Sequence, residues 1–230
     1  MRHPSPSNRA FPTVLFALSL VACVPAVAAR AGAVVPLGPF RSVVLHDGGE
    51  VTLRHGSAQR VTVLEDSLEL SSVSIDGNGR LVIDKCRDHC PKGYKLSVEI
   101  ITPEVTDIMV TSGGTIRSIG DFPQQGELAA AVAHGGTIKV RSMNADEVAA
   151  AVHQGGRILT RPQKTLAASI AQGGAITYWG QPHVTSAVDH GGVVGRGSAA
   201  DADKPLEECS PAVPPVPPVP PLKPMRRGSL

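Results

Sequence analysis

The densest cluster of reactive side chains in the chain is Cys86-Arg87-Asp88-His89-Cys90. Two thiols, an imidazole and a carboxylate in so short a span could hold a metal ion such as zinc. The same spacing lets the two cysteine Cα atoms approach within disulfide range in a loop. A third reading leaves both thiols free. His134 and His190 each stand directly before a Gly-Gly pair, and His153 stands one place further back. Imidazoles at recurring positions could bind a metal or a ligand if the chain stacks them. Hydrolysis of a polysaccharide needs two positioned carboxylates. The candidates are Asp107, Asp121, Glu127, Asp146, Glu147 and Asp189, and only Glu127 and Glu147 share one offset, eight residues before a Gly pair. No nucleophile elbow, phosphate loop or readable Ser–His–Asp set is present. No catalytic residue, metal ligand or cofactor is therefore assigned.

What would position these side chains is a repeat. A Gly-Gly pair recurs at Gly113-Gly114, Gly135-Gly136, Gly155-Gly156, Gly173-Gly174 and Gly191-Gly192, in steps of 22, 20, 18 and 18 residues. Three residues before each pair stands Val110, Val132, Val152, Ile170 or Val188, and five before it Ile108, Ala130, Ala150, Ala168 or Ser186. Three after the first glycine stands Ile116, Ile138, Ile158, Ile176 or Val194. Odd offsets of this kind share one face of a strand on either side of a corner. Segments such as ELAAAVAH carry helix-favouring residues, but their fixed relation to Gly-Gly-x-Ile predicts strands. Repeats near this length with strand periodicity predict an all-β solenoid whose units stack to bury their apolar faces. The residues just before the pairs then form a ladder: Ser112, His134, Gln154, Gln172, His190. Two glutamine rungs at ~4.7–4.9 Å each separate the histidines, too far to share one metal.

Upstream, shorter alternating runs at 42–45, 50–53 and 60–64 are punctuated by Gly48-Gly49 and Gly56-Ser57. Ser72–Ile75, Asp76-Gly77-Asn78-Gly79 and Leu81–Ile83 predict a β-hairpin. A strand is expected over 94–101, ending at Thr102-Pro103.

Composition narrows the function. The 230 residues carry a formal net charge of +2 and only 3% aromatics. That gives neither the basic field nor the stacking rings of a nucleic-acid binder. Arg2, Arg9 and the apolar run Ala10–Ala22 have the form of a signal peptide over residues 1–22. The run Leu20-Val21-Ala22-Cys23 resembles the lipobox of bacterial lipoproteins, which implies Cys23 as a lipidated mature N-terminus anchored to a membrane. The absence of Asp at position 24 implies the outer membrane. The other reading is soluble export, with cleavage after Ala28 or Ala31. A spacer is expected over 23–39 and a Pro-rich tail over 201–230, with Pro211–Pro224 in polyproline II form. An exported chain meets an oxidising compartment, which favours the Cys86–Cys90 bridge and leaves Cys209 odd.

Phe40-Arg41-Ser42-Val43, Gly79-Arg80-Leu81-Val82-Ile83, and the run from Val98 through Thr102-Pro103-Glu104-Val105 to Ile108, followed by the Gly-Gly repeats, resemble the head GIN domain of bacterial auto-transporter adhesins. The resemblance covers about 40–200. It implies a single-stranded, right-handed β-helix, export, and no catalytic residues. The expected function is a non-enzymatic envelope or surface module, adhesive or structural, that binds an envelope or surface ligand or a copy of itself. A polysaccharide-acting enzyme is the alternative.

Overall fold

The computed structural model describes residues 32–66, 70–86 and 93–198. Cys23, Cys90, Cys209, the leader and the Pro-rich tail lie outside them. The described elements are all strands. The N-terminal part holds β1 (Ala33–Val35), β2 (Ser42–His46), β3 (Glu50–His55), β4 (Arg60–Asp66), β5 (Ser72–Ile75), β6 (Arg80–Asp84) and β7 (Leu96–Thr102). Then strands alternate across glycine corners: β8 (Asp107–Ser112) and β9 (Thr115–Ile119), β10 (Gln125–His134) and β11 (Thr137–Val140), β12 (Ala145–Gln154) and β13 (Arg157–Thr160). The last four are β14 (Thr165–Gln172) and β15 (Ala175–Tyr178), then β16 (His183–His190) and β17 (Val193–Arg196).

They build two mixed sheets. One has the order β1-β4-β7-β3-β9-β11-β13-β15-β17 and the other β16-β14-β12-β10-β8-β2-β6-β5. Each repeat gives one strand to each sheet, and successive repeats pair parallel and in register, as in Val110↔Val132↔Val152↔Ile170↔Val188. The all-β expectation holds. Helix loses in ELAAAV because Leu128, Ala130 and Val132, all buried, are spaced two apart. They line one face of a strand but would scatter around a helix. The inner faces of both sheets share one hydrophobic cluster.

The glycine pair makes that stacking possible. Gly155 and Gly156 have φ of +67° and +95°. A Cβ on Gly155 would meet nothing within 4 Å, whereas one on Gly156 would fall 2.6 Å from Val132 Cγ1 and 2.9 Å from the Gly136 carbonyl oxygen. Corners also bond directly: Gly155 N–H donates to the Gln172 oxygen at 2.9 Å, and Ala175 N–H to the Gly156 oxygen at 3.0 Å.

Gly48-Gly49 is a further corner of the same kind. Val43, Leu45 and Val51 stand in register with Ile108, Val110 and Ile116. The chain then leaves for β4 and β5 and returns as β6 and β7, which pair parallel with β2 and β3. In that returning repeat β6 ends at Asp84 and β7 begins at Leu96, and the sequence between them holds no Gly-Gly pair.

The hairpin β5–β6 forms as expected, antiparallel. Its Asp76 carboxylate accepts the Asn78 and Arg80 N–H groups at 2.9 and 3.0 Å and the Arg80 Nε at 2.8 Å. Those bonds, the Arg80 backbone first, hold the carboxyl below its ordinary pKa. One boundary is corrected. The spacer expected to run to Pro39 gives Ala33–Val35 to the sheet, antiparallel to Val61–Val63. Without β1, β4 would present an open edge, and the Ala-Val-Val run has the β-branched side chains that cover one.

A second set of corners closes each repeat at the opposite end. Phe122, Met143, Pro162 and Trp179 are all buried there, respectively eight, seven, six and five residues after the second glycine of their repeats.

Candidate binding face

The outer face of the sheet that contains β10, β12, β14 and β16 is the candidate site. Its central side chains are short: Ala129, Ala149, Ala167 and Thr185 form one row in register, and Ala131, Ala151, Ser169 and Ala187 the next. They line a shallow, largely apolar trough. Parallel pairing places the two borders. On one side Glu127, Glu147, Thr165 and His183 are in register. On the other the next outward positions are Ala133, His153, Ala171 and Asp189, and the expected ladder, Ser112, His134, Gln154, Gln172 and His190, stands in register at the glycine corners just beyond them. Gln154 Nε2 donates to Gln172 Oε1 at 3.2 Å, and the His134 and His153 rings meet edge-on at 6.2 Å.

Glu127 and Glu147 are thus neighbours, as their shared offset suggested, but both are exposed on an open face. The Arg141 guanidinium stacks over the Trp179 ring at 4.6 Å from its centroid. Beyond the acidic border, Asp146 accepts Lys164 Nζ at 2.8 Å and Gln124 Nε2 at 2.6 Å. The Lys164 bond, then the Gln124 bond, lowers the Asp146 pKa, and the same pair raises that of Lys164. Among the described residues no group of three or more His, Cys, Asp or Glu is gathered closely enough to hold a metal. His134 and His190 lie three strands apart. Cys86 is buried in the hydrophobic cluster. Asp88, His89 and Cys90 lie outside the described residues.

Sequence reading assigned these positions by ladder arithmetic and placed the ladder rungs correctly. It did not single out the alanine rows as a surface. The signal was present as Ala-Ala-Ala in two repeats, 129–131 and 149–151. In such a run the middle alanine is buried and the flanking two face out.

The chain matches the family model described as "Putative auto-transporter adhesin, head GIN domain" over residues 39–160 and again over 124–182, together more than half of its length. Among solved structures it is similar to a putative adhesin from Bacteroides fragilis, with 15% identity, 71% of this chain and 94% of that one covered, and a TM-score of 0.38. A putative adhesin from Parabacteroides distasonis gives 12% identity, 72% and 96% coverage, and a TM-score of 0.39. No curated protein matches the chain.

Proposed function

Because the chain belongs to the family of the putative auto-transporter adhesin head GIN domain, we propose that it is an exported, non-enzymatic surface module that binds its partner through the flat alanine face. The observation that carries this reading is the combination of in-register rows of alanine with a polar ladder along each border. A surface without side-chain relief suits a flat partner over several strands, and the borders supply hydrogen bonds at its rim. The repeats are read as one single-stranded, right-handed β-helix, in keeping with the strong preference of parallel crossovers for that hand.

Ala151 sits at the middle of the face with its side chain outward, so Ala151→Arg leaves the core untouched and raises one long cation from the flat surface. Cells that display the protein are expected to lose at least about tenfold in adherence, the equivalent of ~1.4 kcal/mol. Thermal stability should change by no more than about 0.5 kcal/mol. Adherence assays with the variant and with Lys139→Ala, on the opposite sheet, check this. Equal adherence of all three proteins would rule the face out.

Cys23 is proposed as the lipidated N-terminus and Cys86–Cys90 as a disulfide that replaces the glycine corner in the β6–β7 repeat. Intact mass of the protein purified from a native-like host is expected to show acyl chains at Cys23, and non-reducing peptide mapping a bridge between the other two. Cys23→Ala should move the protein from the membrane to the soluble fraction, since each buried CH₂ contributes ~0.8 kcal/mol to anchoring. A free N-terminus at Ala29 or Gly32 would show soluble export instead.

A further inference from the structure

The two ends of the stack are finished differently. At the N-terminal end the edges are short antiparallel strands, β1 with three residues and β5 with four. At the other end, among the described residues, the eight-stranded sheet stops at β16, which has eight residues and neither Lys nor Pro. Edges of that length are usually blunted, because they offer a row of unpaired N–H and C=O groups to another strand. The inner side is open as well: Val188 is 41% exposed, whereas its in-register neighbour Ile170 is 1% exposed.

The polarity of this edge can be read. His183 N–H donates to the Lys164 oxygen, toward β14. Backbone groups alternate sides along a strand, so the N–H and C=O of residues 184, 186 and 188 face outward. An antiparallel partner exchanges both bonds only with outward-facing residues, so a two-fold pairing must be centred on one of these three. Centring on Ser186 uses the whole strand. It sets Val184 against the partner's Val188 on the inner side and His183 against the partner's Asp189 on the outer side. It also sets Thr185 against Ala187. Apolar meets apolar and imidazole meets carboxylate, twice each by symmetry.

We propose that β16 pairs with β16 of a second copy, antiparallel about a two-fold axis at Ser186, and joins two molecules end to end through their C-terminal repeats. The chain's own residues 199–230 suit the edge less well. They contain no proline-free run as long as the eight residues of β16, and proline donates no N–H. The pairing leaves the β1 and β5 edges at opposite ends of the dimer.

The test is the full chain carrying Cys23→Ala and Cys209→Ser, with one added cysteine. In a hydrogen-bonded antiparallel pair the Cα atoms stand ~5.5 Å apart, within disulfide range. Ser186→Cys is therefore expected to give a covalent dimer on mild oxidation. Val188→Cys is expected to stay unlinked, since its counterpart lies about 13 Å away along the strand. Sedimentation velocity should show a dimer for the parent chain and a monomer for Val188→Lys. A monomeric parent with unlinked Ser186→Cys overturns the proposal, and so does cross-linking at Val188→Cys alone. Dimerisation that appears only when 199–230 are deleted would show that the chain's own tail covers the edge, and would overturn it too.

Discussion

Replacing Gly156 with alanine is expected to cost far more stability than replacing its neighbour Gly155. At Gly155 the φ of +67° lies in the left-handed region and a Cβ would meet open space. The penalty there is the intrinsic one for a non-glycine residue, about 1–2 kcal/mol. At Gly156 the φ of +95° adds strain, and the new carbon would stand 2.9 Å from the Gly136 carbonyl oxygen and 2.6 Å from Val132 Cγ1. Relief requires the two repeats to separate, which breaks the bond from Arg157 N–H to the Gly136 oxygen and loosens the valine ladder. Overpacking of that kind costs about 1–3 kcal/mol on top of the backbone term, so Gly156→Ala should lose about 2–5 kcal/mol. Urea unfolding followed by far-UV circular dichroism measures both. Equal losses would mean that close approach of the repeats does not dictate the second glycine. Asn at 155 should be tolerated better than Ala, and Asn at 156 should not.

The same contrast explains what could be read in advance. The glycine pairs stand out in the sequence because positive φ favours glycine at the first position and close backbone approach of the neighbouring repeat requires it at the second. The positions three and five before them are legible because each repeat solves the same packing problem with the same small or β-branched side chains. The closing corners are not legible. Phe122, Met143, Pro162 and Trp179 fill equivalent space with unrelated side chains at sliding offsets, so no column of the repeat records them. Gly48-Gly49 obeys the rule but escapes the count, because β4 to β7 separate it from Gly113 and hide the period. The sequence between β6 and β7, which contains Cys86, carries no glycine pair at all.

For the candidate site, the polar ladder and the pairing of Glu127 with Glu147 follow from offset arithmetic, and both are found. The alanine face is harder to see, because alanine is equally compatible with a crowded interior and a bare exterior. Ala130 and Ala150 are buried while their neighbours on either side face out. Only the phase of the strand, set by the valine at the corner, separates the two roles. The exposure of Val188 is likewise invisible, since its local sequence matches that of Val132 and Val152. Burial of a ladder residue depends on the next repeat being present, and β16 has none beyond it among the described residues.

That dependence gives the second large effect, at Trp179. It is the one tryptophan of the chain and 6% exposed. It ties the final repeat to the stack in three ways. Its indole N–H donates to the Ser198 carbonyl at 3.0 Å. Its own N–H donates to the Thr160 oxygen at 3.1 Å. Gly197 packs against the ring so closely that a Cβ there would overlap it. Arg141 covers the ring with its guanidinium. Trp179→Ala should therefore cost about 3–5 kcal/mol, the range for truncating a buried aromatic. Trp179→Phe keeps most of the packing and loses one hydrogen bond, and should cost about 1–2 kcal/mol. Because later repeats rest on earlier ones, the loss should be local before it is global. Hydrogen exchange is expected to accelerate first in β15 and β17, with β10 and β12 keeping their protection. If Trp179→Phe proves as costly as Trp179→Ala, the hydrogen bond rather than the packed ring secures the end of the stack. If neither variant changes exchange in β17, the final repeat is held by its backbone pairing alone.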